Sequence, residues 1–250
     1  MDDVKVVVSL TSHTKERLQN VPFFLYHSVF KYGYDYVKVV LTLYKDDVPN
    51  MPETLKDMVA AGIVELIVAE QDLKCHLKYF YAMKKYRDLP VITIDDDSIY
   101  PKKMIPDLLK VASAYPGVVI ARSARVINPG KSYKDWVVAV GGVEAAKFNT
   151  DIVNQVRGDL NPEGYGGVLY PADILEVSDS MVPEILDFTR AADIYLTLLE
   201  QRKGIKVLVP LYDDNKLDKC TRPAYSICTR KDNIGMIDGL ITKYKTDFIQ

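Results

Sequence analysis

The sequence predicts an α/β fold with a mostly parallel central sheet covered by helices on both faces. Three observations carry this expectation. Apolar β-branched runs alternate with helix-patterned stretches through the first two-thirds of the chain. The runs are near-continuously apolar, as strands buried on both faces are. Polar residues gather where the runs stop, above all Asp95-Asp96-Asp97 after Val91-Ile92-Thr93-Ile94. In open α/β sheets ligands bind beyond the carboxyl ends of the strands, so Thr11-Ser12-His13 and the aspartate triplet are expected to meet at one crevice.

In chain order, strands are expected at Val4–Leu10, Tyr36–Leu43, Val64–Ala69, Val91–Ile94, Gly117–Ala121 and Lys206–Leu211. Helices are expected at Leu18–Lys31, at Glu53–Ala61 with Gly62 as its C-cap, at Lys74–Tyr86, and from Pro101 to about Tyr115. A further helix is expected over Thr189–Lys203, with Thr189 as N-cap and Gly204 as stop. Ile127–Asp135 reads as a loop, and Gly164-Tyr165-Gly166-Gly167 as a glycine-rich turn. The tail from Asn233 places Ile234, Ile237, Ile241, Tyr244 and Phe248 at roughly helical spacing. It can dock on the rest of the chain, meet a partner or lie on a membrane surface.

Length and composition narrow the function. The chain has 250 residues, 48% hydrophobic and 26% charged, as in ordinary globular proteins. A net charge of −2 with only short Lys/Arg clusters argues against nucleic acid as a partner. The three cysteines, Cys75, Cys220 and Cys228, form no C-x-x-C pair and suit reduced thiols. Met1-Asp2-Asp3-Val4-Lys5 has neither the basic start nor the apolar core of a secretion leader. No run approaches the ~20 apolar residues of a membrane span. The expected location is therefore cytoplasmic, with peripheral contact at the inner membrane face open to the tail. The expected organisation is one domain over residues 1–250, with a nucleotide-binding part to about 121, an acceptor part over about 122–232 and a helical tail beyond.

The triplet is the feature with the most chemistry. Adjacent carboxylates raise one another's pKa, and a divalent cation removes that cost. Mg²⁺ and Mn²⁺ take oxygen ligands and commonly bridge a carboxylate to a substrate phosphate. An acidic turn or helix cap is the competing structural reading.

Five segments occur in order: SLTSHTKERL, DLKCHLKYFYAM, VITIDDDSIYP, GYGGVLYP and ADIYL. Together they resemble bacterial glycosyltransferases of the GT-A fold that use nucleotide sugars, in particular those of capsule and lipopolysaccharide synthesis. The resemblance spans roughly Val4 to Pro210. It implies a GT-A-like, Rossmann-like three-layer sandwich. It also implies a metal-dependent enzyme, with Mn²⁺ or Mg²⁺ as cofactor, a nucleoside-diphosphate sugar as donor (UDP by default) and a saccharide or lipid-linked saccharide as acceptor.

The resemblance also implies site residues. Asp95 and Asp97 match an Asp-x-Asp metal motif, with Asp97 on the metal and Asp95 or Asp96 facing the ribose or sharing the metal. Lewis-acid stabilisation of the departing diphosphate is the implied role. Thr11 and Arg17 match the segment that holds base and ribose, Arg17 offering a planar fork to base carbonyls or phosphate. Asp72 matches an acid that contacts the base. Lys78, expected to share a helix face with Lys74, matches a lysine near the nucleotide. Gly166 and Gly167 match a loop beside donor sugar and acceptor. Asp193 matches the catalytic base of inverting relatives, although dipole stabilisation of a helix start explains it equally simply. The relatives' preceding acid is replaced by Ala192, which bears on acceptor binding. A late metal ligand, often His or Asp in relatives, has to come here from oxygens such as those of Asp213, Asp214 or Asn215.

Two other readings stand beside this one. A metal-dependent nucleotidyltransferase or phosphohydrolase also places acids at strand ends. A non-catalytic nucleotide-sugar-binding relative keeps the fold without turnover.

Overall fold

Alternation along the first strand explains the layering. Val6, Val8 and Leu10 belong to one apolar core and Val7 to a second on the opposite face, and all four are fully buried. Side chains in a strand point alternately to opposite faces, so a continuously apolar strand must be covered twice. The computed structural model describes residues 4–141, 151–212, 218–219 and 231–248. Asp213, Asp214 and Asn215, named as late metal ligands, lie outside the described residues, as do Cys220 and Cys228.

The strands are β1 (Val6–Thr11), β2 (Val37–Tyr44), β3 (Val64–Ala69), β4 (Val91–Thr93), β5 (Ser98–Ile99), β6 (Val118–Ala121), β7 (Ser123–Val126), β8 (Val138–Val140), β9 (Val156–Arg157), β10 (Leu160–Pro162), β11 (Val168–Tyr170), β12 (Lys206–Leu208) and β13 (Asp218–Lys219). The helices are α1 (Lys15–Leu18), α2 (Val21–Ser28), α3 (Glu53–Ala60), α4 (Phe80–Lys85), α5 (Met104–Ala114), α6 (Val182–Ile185), α7 (Ala192–Lys203) and α8 (Lys231–Lys243).

An eight-stranded sheet runs β3-β2-β1-β4-β11-β6-β12-β9. The pairs β2/β3, β1/β2, β1/β4 and β6/β12 are parallel. Only β11 and β9 run against their neighbours. The expected mostly parallel sheet in a three-layer α/β arrangement is therefore present. One core joins the strands to Leu18, Val21 and Leu25 of α1 and α2, to Leu55 of α3 and to Met104, Ile105 and Leu108 of α5. The other joins them to Phe80 and Met83 of α4, Ile194 and Leu198 of α7, and Ile237, Leu240 and Ile241 of α8. Each fully buried aliphatic or aromatic side chain contributes roughly 1.5–3 kcal/mol. A small sheet, β10-β7-β8, flanks the large one and was not expected from the sequence.

This topology sets the geometry of any site. The carboxyl ends of β1, β4, β6 and β12 share one edge of the sheet. Because β11 is antiparallel, its amino end, and the Gly164–Gly167 segment before it, lie at that same edge.

Several element boundaries differ from expectation for identifiable reasons. The helix expected over Leu18–Lys31 is two helices and a 3₁₀ turn. Pro22 is tolerated only in a first turn, so the chain restarts at Val21. The helix expected over Lys74–Tyr86 is a 3₁₀ segment over Lys74–Lys78 followed by α4. Helix α7 starts at Ala192 rather than at Thr189, and no side chain caps it. Gly204 stops it as expected, at φ 64°, a left-handed cap favoured by glycine. The tail docks. Ile237, Leu240, Ile241 and Phe248 are buried, and Asp238 accepts hydrogen bonds from Ser132 Oγ and Tyr133 N at 2.7 Å each.

His76 is a core residue. Its Nδ1 lies 2.8 Å from the Tyr79 hydroxyl and its Nε2 2.8 Å from the Phe188 carbonyl, an arrangement that suits a neutral ring donating from Nε2. Burial, despite the Phe188 bond, lowers its pKa from 6.5 to about 4. Above 6.5 the ring is neutral whether the chain is folded or not. As pH falls from 6.5 to 4, the unfolded chain takes up a proton that the folded one refuses, so stability is lost. Urea unfolding between these pH values is expected to show a loss of about 3 kcal/mol from this residue. The slope is expected to flatten in His76→Gln.

Candidate active site

The aspartate triplet leaves β4 as the strand reaches the carboxyl edge, and its three side chains have different fates. Asp96 is nearly buried, its side chain 5% exposed, whereas Asp95 and Asp97 are each 31% exposed. The cause is Arg17, projecting from α1 just after β1. Its Nε donates to Asp96 Oδ2 at 3.0 Å, its Nη2 to Asp96 Oδ1, and the same Nη2 to Asp97 Oδ2 at 3.1 Å. Burial works against the guanidinium charge. The bond and charge of Asp96, with the charges of Asp97 and Asp95, outweigh it and hold its pKa above the ordinary value.

Two residues expected to face the donor are engaged with each other here. Arg17 was expected to present its fork to a base or phosphate, but the fork is filled by Asp96 and Asp97. Asp95 or Asp96 was expected to face the ribose or share the metal, and Asp96 lies beneath Arg17. A planar bidentate pair is the strongest form of this contact, and a nearly buried carboxylate needs such a partner.

Lys78 closes the other side of the triplet. Its side chain is 10% exposed, and Nζ lies 3.4 Å from Asp95 Oδ1 and 3.3 Å from Asp193 Oδ1. Burial again works against the charge, and the charges of Asp193 and Asp95 outweigh it, so the ammonium's pKa is raised. Asp193 stands in the first turn of α7, where its Oδ2 also accepts from Gly164 N at 3.0 Å. The structure thus brings Lys78, Asp95 and Asp193 into one group, joined to the glycine-rich segment.

Lys74 is not part of that group. Three residues per turn in the 3₁₀ segment send positions four apart in different directions. Lys74, at φ 55°, turns outward and pairs with Asp72. Asp72 in turn accepts from Lys74 N at 3.0 Å, so its carboxylate supports its own turn.

The glycines of the Gly164–Gly167 segment differ in their surroundings. A Cβ on Gly166 would meet Ser123 N at 3.3 Å, and one on Gly167 would meet Met104 Sδ at 3.3 Å. Both glycines are buried in packing behind the site. Gly164 is the one at the charged group, where an added Cβ would collide with Lys78 Nζ and sit 2.8 Å from Asp193 Oδ1. Tyr100, which sequence reasoning passed over, ties the two halves together. The Asp95 N–H donates to its hydroxyl at 2.9 Å, and that hydroxyl donates to the Tyr165 carbonyl at 3.0 Å. A tyrosine close behind an acidic strand end was the available signal. Thr11 closes β1 and donates from its hydroxyl to the Thr42 carbonyl at 2.7 Å, leaving oxygen lone pairs for a further contact. Burial pushes the Cys75 thiol up to about 11, which disfavours the nucleophilic thiolate.

Among the described residues no three His, Cys, Asp or Glu side chains converge as a metal cluster. Asp95 and Asp97 nonetheless fit one mode of binding. Mg²⁺ and Mn²⁺ are often held by one or two carboxylates, with water and substrate phosphate completing the shell. Both carboxylates are partly open, and burial and then the Asp95 charge, against the pull of Arg17, raise the Asp97 pKa. A cation would relieve that repulsion.

No protein-family model matches the chain, and no curated protein matches its sequence. Solved structures do match its fold. The mannosyltransferase PcManGT from Pyrobaculum calidifontis, solved with GDP-Man and Mn²⁺, is similar over 88% of this chain and 58% of its own, with a TM-score of 0.56 and 13% identity. This chain therefore spans little more than half the length of that enzyme. 4-Diphosphocytidyl-2C-methyl-D-erythritol synthase from Anaerococcus prevotii is similar over 96% of this chain and 97% of its own, with a TM-score of 0.50 and 12% identity. At such identities the likeness is one of fold. The chain has the mixed α/β arrangement shared by GT-A glycosyltransferases and nucleotidyltransferases.

The Arg17–Asp96 pair gives a direct test. Arg17→Ala leaves a nearly buried carboxylate without its partner and is expected to cost about 3–5 kcal/mol in urea unfolding. Adding Asp96→Asn to that variant is expected to recover part of the loss.

Proposed function

We propose that this chain is a metal-dependent glycosyltransferase that moves a sugar from a nucleoside-diphosphate sugar to a saccharide or lipid-linked saccharide acceptor, with inversion at the anomeric carbon. The observation that carries the reading is the meeting of Asp193 with Asp95 at Lys78. It joins a candidate base to a candidate diphosphate site at the carboxyl edge of a GT-A-like sheet.

In this reading Asp95 and Asp97 hold Mn²⁺ or Mg²⁺, which supplies Lewis-acid stabilisation of the diphosphate as negative charge grows on it. Arg17 and Asp96 keep the triplet in place. Thr11, at the end of β1, and Asp72, beyond β3, border the space for base and ribose, with UDP as the default donor nucleotide from the sequence resemblance. Gly164 lets the backbone approach the reacting group. Asp193 takes the proton of the acceptor hydroxyl as its oxygen attacks the anomeric carbon, and the nucleoside diphosphate leaves with the bonding pair. The bond from Gly164 N–H to Oδ2 orients the carboxylate for that task. Residues 1–121 then form the nucleotide part and residues 122–232 the acceptor part of one domain. A role in surface polysaccharide synthesis and a cytoplasmic location complete the proposal. Among the described residues no helix is long and apolar enough to cross a membrane.

A nucleotidyltransferase is the second reading, favoured by the match over nearly the full length of both chains to a synthase of that fold. The two reactions release different products. A panel of UDP-, GDP- and CDP-sugars with Mn²⁺ is expected to yield nucleoside diphosphate. Release of pyrophosphate from a nucleoside triphosphate, with no diphosphate from any sugar donor, would establish the second reading instead. With the active donor, Asp193→Asn is expected to lower kcat by about a hundredfold to ten-thousandfold, and Asp97→Ala to weaken Mn²⁺ binding. Near-normal turnover by Asp193→Asn would remove the base assignment.

A further inference from the structure

We propose that Lys78 is an internal counter-ion, seated between Asp95 and Asp193 in the free protein and displaced from Asp95 when a divalent cation binds with a nucleoside diphosphate. This inference rests on the metal-dependent reading above and extends it by giving the site an order of binding.

The two cations of the site are held in different ways. Arg17 is locked onto Asp96 by both arms of its fork, with Nε at 3.0 Å. Lys78 is shared. At 3.4 Å from Asp95 and 3.3 Å from Asp193, it lies beyond the 2.7–2.9 Å usual for a charge-assisted hydrogen bond of this kind. An ammonium that lies between two carboxylates without bonding closely to either can move toward one of them. Its seat is shaped to hold it, because a side chain at position 164 would strike Nζ. Its side chain is 10% exposed, so losing a carboxylate partner without another anion in its place is costly. If Lys78 leaves Asp95, it needs another anion close by.

A metal ion on Asp95 and Lys78 on the same carboxylate oppose each other, since like charges a few ångströms apart repel strongly where water is scarce. In the free protein, Lys78 therefore weakens metal binding. An incoming diphosphate removes the conflict by offering the ammonium new oxygens while Asp193 keeps its contact. Diphosphate and metal then each raise the affinity for the other, a reciprocal coupling. Lys78 is here a positioning residue for the metal, and its contact with Asp193 carries the same rearrangement to the candidate base.

Mn²⁺ titrations followed by the electron paramagnetic resonance of free Mn²⁺ test this without any turnover. They compare the wild-type protein, Lys78→Met and Gly164→Ala, each alone and with UDP or GDP. The wild-type protein is expected to bind Mn²⁺ at least about tenfold more tightly with the nucleotide than without it. Lys78→Met is expected to bind Mn²⁺ alone at least about tenfold more tightly than wild type and to lose most of the nucleotide effect. Gly164→Ala pushes the ammonium off its seat and keeps its charge, so it is expected to shift in the same direction by a smaller factor. Should Lys78→Met fail to fold, Gly164→Ala decides alone. Wild-type Mn²⁺ binding that is unchanged or weakened in the variants overturns the counter-ion role and leaves the metal-dependent reading standing. Absence of Mn²⁺ binding in all three proteins, with and without either nucleotide, overturns both.

Discussion

Burying charge at the edge of an apolar sheet is the constraint on which this site depends. Every carboxylate drawn inward there needs a cation, because an unpaired buried charge costs several kcal/mol. Asp96 is satisfied by Arg17, and Asp95 and Asp193 share Lys78. These pairs join α1, the turn before α4, the end of β4 and the start of α7. Glycine at position 164 leaves room for them, since a Cβ there would crowd the ammonium and Asp193.

The sheet supplies the meeting place. Parallel strands deliver their carboxyl ends, and the polar residues that follow them, to one edge. The antiparallel β11 then brings the glycine-rich segment to that edge from the opposite direction. Tyr100 joins the two by taking the Asp95 N–H and giving its own proton to Tyr165. A candidate base from the second half of the chain therefore stands beside candidate metal ligands from the first.

Much of the fold was legible in the sequence, because the strands announce themselves. Val4–Leu10, Tyr36–Leu43 and Val64–Ala69 are long apolar runs, and the structure shifts their boundaries by two residues at most. Gly62 and Gly204 marked helix ends for a local reason, their left-handed backbone. Helices broken from within were harder to read. Between Lys74 and Tyr86 the pattern suits one helix, yet the chain folds as a 3₁₀ segment and a short α-helix. That change separates Lys74 from Lys78 and sends only Lys78 into the site. The start of α7 was misplaced for a similar reason. Thr189 is a good cap by composition, but there it closes the preceding 3₁₀ segment, Leu186–Phe188, as its C-cap.

By itself the sequence determined the α/β class, the mostly parallel sheet and the identity of the acids near its carboxyl edge, because strand periodicity and adjacent carboxylates are local patterns. Only the tertiary structure decided how those acids are used. Asp96 is nearly buried beneath Arg17, Asp95 and Asp97 remain partly open, and Asp193 is tied to Asp95 through Lys78. Pairings between residues so far apart in the chain depend on strand order and on which side chains must be neutralised as the layers close. Spacing along a sequence carries neither.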